Sequence, residues 1–172
     1  MGSEVRDSET GTDVRLDAAT PAVRGVDRTW NPARVYLWVS AVYLTVLSAA
    51  GFFYNRTFPV GAAAAERAGS GHILGIFETN GWHNLAGLVF GVVALVFLTR
   101  PVRDAALGAI VVGVPNLIAF IAFSVAAPTT FWFASDGADN IVHATLGFGG
   151  ILAALLTRER EGMIRRPDRE RS

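Results

Sequence analysis

The chain contains no cysteine, and none of its fifteen basic residues is a lysine. The first absence excludes disulfides, thiolate metal ligands and thiol catalysis. The second excludes a Schiff-base amine. Fifteen arginines are balanced by fifteen acids, so the formal net charge of +0 gives no electrostatic case for nucleic acid as a partner. Charge is also scarce in the middle of the chain. Between Val35 and Thr157 only Arg56, Glu66, Arg67, Glu78, Arg100, Arg103, Asp104, Asp136 and Asp139 are charged, and they sit at the ends of apolar runs. Enzyme signatures are missing too. No serine stands in a nucleophile-elbow setting and no glycine-rich phosphate loop follows a strand, so the chain is not expected to be an enzyme.

What the sequence does contain is four apolar runs, at about 35–54, 82–99, 105–126 and 140–157. Roughly 20 residues at ~1.5 Å each span the ~30 Å hydrocarbon core of a bilayer. The expected fold is an all-α membrane protein with four transmembrane helices in residues 31–157. Asn31 and Pro32 suit the N-cap and first position of the first helix. Trp30, Tyr36 and Trp38 at one end of that run, and Phe52, Phe53 and Tyr54 at the other, read as aromatic belts. Pro115-Asn116 falls near the centre of the third run and predicts a kink.

Residues 1–30 are polar, mixed in charge and without periodicity, which predicts a disordered tail. Residues 158–172 form a charged tail that extends the last helix. Thirteen arginines lie in the stretch up to Arg34, the Arg100–Arg103 turn and the stretch after Thr157, and only Arg56 and Arg67 lie in the other two connections. By the positive-inside rule both termini are cytoplasmic, in the cell membrane. The connection 55–81 is then external, and His72–Phe77 within it is apolar enough to lie along the interface.

The second and fourth runs open alike. Asn80–Gly91 lies over Asp136–Gly147 without a gap, matching Gly81 to Gly137, Asn84 to Asn140 and Gly91 to Gly147, and placing His83 over Asp139 and Gly87 over His143. The chain therefore reads as two tandem parallel-repeat hairpins. Asn84, Gly87, Gly91 and Ala94 share one helical stripe; Asn140, His143, Gly147 and Gly150 share its equivalent. Small residues at this spacing allow close helix approach, so the second and fourth helices are expected to pack along these stripes, with His143 over Gly87.

The strings GIFETNGWHNLAGLVFG and DGADNIVHATLG resemble the two signature stretches of the domain of unknown function 4383 family, small four-helix bacterial membrane proteins. The resemblance covers about residues 34–157. It implies the four-helix architecture and no activity, since the family has none established. The family's first stretch usually continues to a second histidine, where this chain has Gly87.

Polar groups near membrane depth are costly and so are candidates for function. Glu78, His83, Asn84, Asp136, Asp139, Asn140 and His143 gather at the external ends of the second and fourth helices. One reading makes them caps and clamps: Asp136 and Asp139 at a helix N-terminus, Asn84 and Asn140 bonded to each other, His143 donating to Asn84 or a backbone oxygen. The protein then acts by association, as a homo-oligomer or with another membrane protein, through glycines such as Gly108 and Gly113, and needs no cofactor. The other reading is a metal-, proton- or small-ligand-handling protein. Asp139 and His143 are four apart on one helical face, and His83 adds a third metal ligand. A bis-histidine haem is not expected, because the two histidines fall about a turn apart in the repeat.

Overall fold

In the computed structural model, which describes residues 31–65, 71–125 and 132–165, four long helices form a bundle. Helix α1 (Pro32–Tyr54) is followed by the single turn α2 (Ala62–Ala65), strands β1 (Gly71–Ile73) and β2 (Phe77–Thr79), and helix α3 (Gly81–Thr99). A 3₁₀ turn at Val102–Asp104 leads into α4 (Ala105–Val125), and α5 (Gly137–Arg165) closes the chain. The expected tail 1–30 and the end of the charged tail, 166–172, lie outside the described residues.

Among the described residues, four helices are long and apolar enough to cross a membrane. Val39, Val46, Phe53, Ile118, Val125 and Ile141 stand on their outer faces, each at least 61% exposed. Water would penalise so much apolar surface, whereas lipid matches it. The chain is an integral membrane protein.

The helix starts follow from capping. Asn31 has extended backbone and its Oδ1 accepts from the amides of Ala33 and Arg34, while Pro32 supplies no amide to satisfy. Asn80 caps α3 by accepting from His83 N, and Asp136 caps α5 by accepting from Asp139 N at 2.9 Å. These caps move the starts of the second and fourth helices slightly ahead of the apolar runs, to Gly81 and Gly137.

The helices pair differently from the expectation. α1 packs along α3 and α4 along α5, and α3 and α5 make no comparable contact. Each small-residue stripe is filled from within its own pair. Gly87 receives Ser48, and a Cβ at Gly91 would stand 2.9 Å from Thr45 N. At Gly147 it would stand 2.8 Å from Leu117 Cα, and at Gly150 2.7 Å from the Ala109 carbonyl. A small-residue stripe dictates close approach but does not name the neighbour. Gly108 and Gly113 are also used internally, against Phe97 and Gly150, so neither offers an outward docking stripe.

The tightly packed core lies towards the end of the bundle where the chain enters and leaves, here called the terminal end. It consists mainly of alanines (Ala33, Ala41, Ala94, Ala105, Ala106, Ala109, Ala154) with Leu37, Leu98 and Val112. Thr157 Oγ1, 1% exposed as a residue, accepts from Ala33 N at 3.1 Å and lies within 2.9 Å of Asn31 Oδ1 and 2.8 Å of Ala153 O. Arg34 Nη2 donates to Leu98 O, satisfying a carbonyl at the end of α3. Tyr36 departs from its expected place in the aromatic belt: its hydroxyl turns inward and donates to Leu146 O at 2.9 Å. Trp38, Phe53 and Tyr54 do face outward.

At the opposite, loop end, β1 and β2 pair antiparallel, Gly71 with Thr79 and Ile73 with Phe77. The turn between them has positive φ at both central residues, Leu74 (54°) and Gly75 (73°), and Ile76 N donates to Ile73 O. This is the twist a tight hairpin requires. Asn55 ties the hairpin down by donating to Thr79 O, and Trp82 donates to Pro59 O beside Phe58 and Trp132.

Candidate functional site

The loop end brings three of the sequence candidates into one cluster. His83 is in the first turn of α3, Asp139 in the first turn of α5, and His143 one turn further along α5. Asp139 is 4% exposed. Its Oδ1 lies 3.4 Å from His83 Nε2, and its Oδ2 lies 3.3 Å from His143 Nε2. The imidazoles stack with centroids 5.8 Å apart and planes 24° apart. A ligand atom of each residue lies within 4.8 Å of the others.

The far sides of the two rings fix their protons. Glu78 O is a carbonyl and can only accept, so His83 Nδ1, 3.3 Å away, carries hydrogen. Asn116 Nδ2 donates to Val112 O at 2.8 Å, which turns Asn116 Oδ1 towards His143 Nδ1 at 3.0 Å. His143 Nδ1 therefore also donates. Each imidazole is left with its Nε2 aimed at the same carboxylate. Among the described residues, Asp139 Oδ2 and His143 Nε2 are buried without a hydrogen-bond partner. Two imidazole nitrogens and a carboxylate placed in this way can hold a cation.

The remaining candidates hold this cluster or neighbouring backbone. Asp136 Oδ2 accepts from Glu78 N, so the cap of α5 also fixes the strand whose carbonyl orients His83. Asp139, expected as a cap, instead turns its carboxylate to the histidines. Asn84 and Asn140 do not bond each other. Asn84 donates to Asn55 O and accepts from Thr79 Oγ1, while Asn140 donates to Ser124 Oγ at 2.8 Å. Separate helix pairing keeps them apart. For the same reason His143 does not lie over Gly87. The stacked rings also meet, contrary to the one-turn offset, but aim both Nε2 atoms at one carboxylate instead of at opposite faces of a macrocycle.

A cavity of about 140 Å³ adjoins the cluster and is lined by residues of all four long helices. Tyr43, Leu44, Leu47 and Ser48 come from α1, Phe90 from α3, Asn116 and Phe123 from α4, and Leu146 from α5. Two residues here carry more than their sequence signal promised. Asn116 was legible only as part of a kink, yet its side chain sets the His143 tautomer. Tyr43 lies inside an apolar run, where the only hint was a hydroxyl at membrane depth.

A family model described as "Domain of unknown function (DUF4383)" matches residues 34–156. No curated protein and no solved structure matches the chain.

Proposed function

Because this chain belongs to the DUF4383 family, a domain of unknown function, we propose its role from its own side chains: it is a membrane protein that holds a divalent transition-metal ion between His83, Asp139 and His143. The observation that carries this reading is the convergence of two imidazole Nε2 atoms on one buried carboxylate. Distances separate a metal ion from a proton. A charge-assisted N–H···O bond is about 2.7–2.9 Å long. The edge of a tetrahedron with bonds of ~2.1 Å is about 3.4 Å. The observed 3.3 and 3.4 Å exceed the first and are close to the second for each histidine taken singly, each to a different carboxylate oxygen. One ligand atom from each residue lies within 4.8 Å of the others.

The outer hydrogen bonds support the same reading. Metal-bound histidines characteristically donate their other ring N–H to a carbonyl or carboxylate, which fixes tautomer and orientation. Glu78 O and Asn116 Oδ1 do this here. Two imidazoles and a carboxylate suit zinc or ferrous iron, with a coordination position left open. Gly108 and Gly113 are packed inside the bundle, so the association reading loses these two glycines as a docking stripe.

Two further readings belong to this proposal. The chain is two tandem hairpins, supported by Gly91 seating Thr45 just as its counterpart Gly147 seats Leu117. His83 comes from the first hairpin, Asp139 and His143 from the second, so the ion bridges the repeats. The arginine distribution supports a topology with both termini in the cytoplasm and the metal site near the outer face of the cell membrane.

Zinc titration followed by thermal unfolding in detergent tests the reading. An ion that binds only the folded state stabilises it by about 2.7 kcal/mol at a hundred-fold excess over Kd. Tm should rise for the wild type and stay fixed for His143→Ala. In Asn116→Ala the rise should need roughly 10–100-fold more zinc. An equal rise in all three proteins would refute the site.

A further inference from the structure

The cavity beside the cluster has a size, a chemistry and an unpaired hydroxyl that together define a second ligand. We infer that it binds a single-ring phenol or quinol-type molecule, with its oxygen on the ion's open position and its ring between the helix pairs; this rests on the metal reading above. The volume of about 140 Å³ is close to that of an apolar cavity of about 150 Å³ known to accept benzene. The walls around it, Leu44, Leu47, Phe90 and Leu146, are apolar and suit a ring.

The polar groups specify an oxygen. Tyr43 lines the cavity, and among the described residues its buried hydroxyl has no hydrogen-bond partner. A buried hydroxyl left unpaired costs about 1–3 kcal/mol, and an oxygen-bearing ligand removes that cost. Charge specifies the protonation state. A divalent ion with one carboxylate and two neutral imidazoles leaves a net positive charge in apolar surroundings, where an unneutralised charge is expensive. A bound cation would make a phenolic oxygen more acidic, as it does water, and the phenolate, its proton released to solvent on binding, would neutralise that charge. A hydrocarbon ring could fill the space but not satisfy Tyr43 or the ion.

Cobalt(II)-loaded protein in detergent reports both ligands separately, since bound cobalt is measured by elemental analysis and its open position by its visible bands. Phenol should change those bands saturably in the wild type, and toluene should not. Leu47→Trp, which fills the cavity, should keep cobalt and bind phenol at least tenfold more weakly. Tyr43→Phe, the conservative change, should keep cobalt and weaken phenol roughly five-fold, and it decides the matter if Leu47→Trp does not fold. Cobalt bands indifferent to phenol, or a Tyr43→Phe protein that titrates like the wild type, would overturn the phenol site while leaving the metal site standing. Failure of the wild type to bind cobalt would overturn both.

Discussion

The two ends of the bundle handle polar atoms in opposite ways. At the terminal end, Asn31, Arg34 and Thr157 each meet a backbone partner, and the helices close over an alanine-rich core. At the loop end, the helices part around a cavity, and two imidazole lone pairs face a buried carboxylate. Among the described residues, Ser40 Oγ alone lacks a partner at the terminal end, whereas at the loop end the unpartnered atoms include the ligand atoms Asp139 Oδ2 and His143 Nε2. Buried polar groups lacking partners cost about 1–3 kcal/mol each, so a site that keeps them has given up stability for binding. Mutations at the two ends should therefore separate stability from ligand dependence.

Gly150→Leu should have the largest effect. Its new side chain would meet the Ala109 carbonyl and the Gly113 backbone, neither of which can move aside without separating α4 from α5. A loss of about 3 kcal/mol or more is expected in detergent unfolding, with any bound metal lost alongside the fold. Thr157→Val comes next. It keeps the shape but removes the hydroxyl beside Ala33 N, Asn31 and Ala153 O, for a loss of about 1–2 kcal/mol and an unchanged zinc response. A weakened zinc response in this variant would mean that the two ends are coupled.

Asp139→Asn should behave in the opposite sense. An amide can donate to one of the two Nε2 lone pairs, so metal-free stability should hold or rise by up to about 1 kcal/mol while the zinc-induced rise in Tm disappears. A large loss of metal-free stability would instead make Asp139 a structural clamp. Leu74→Asn, at the exposed hairpin tip, is the smallest change. Asparagine tolerates the positive φ that leucine adopts here, so slower amide exchange in β1 and β2 and a gain of about 0.5 kcal/mol are expected.

The four membrane helices were legible because lipid imposes both a length and a composition on any span, and the charges of this chain avoid its apolar runs. Asn31-Pro32 and Asp136 marked helix starts through hydrogen-bonding rules that act over two or three residues. Helix pairing was not legible. Gly87, Gly91, Gly147 and Gly150 announce close approach, yet the partners Ser48, Thr45, Leu117 and Ala109 carry no complementary signal in sequence. That one ambiguity misplaced the Asn84–Asn140 contact and the His143–Gly87 contact. His83, Asp139 and His143 were visible as polar residues where polarity is costly. Their tautomers were not, because these depend on Glu78 O and Asn116 Oδ1, a backbone carbonyl and a residue 27 positions before His143. The β-hairpin at Gly71–Thr79 was also hidden, since its turn places a leucine where glycine or asparagine is the usual signal.

The central claim is that three side chains from two helices hold one ion, and elemental analysis tests it most directly. Protein purified in detergent without chelators, loaded with zinc and freed of excess, is compared with Asp139→Asn and His143→Ala prepared identically. Close to one equivalent of zinc in the wild type, falling at least tenfold in both variants while they remain folded, is the expected result. Zinc absent from all three, or retained equally by all three, would contradict it.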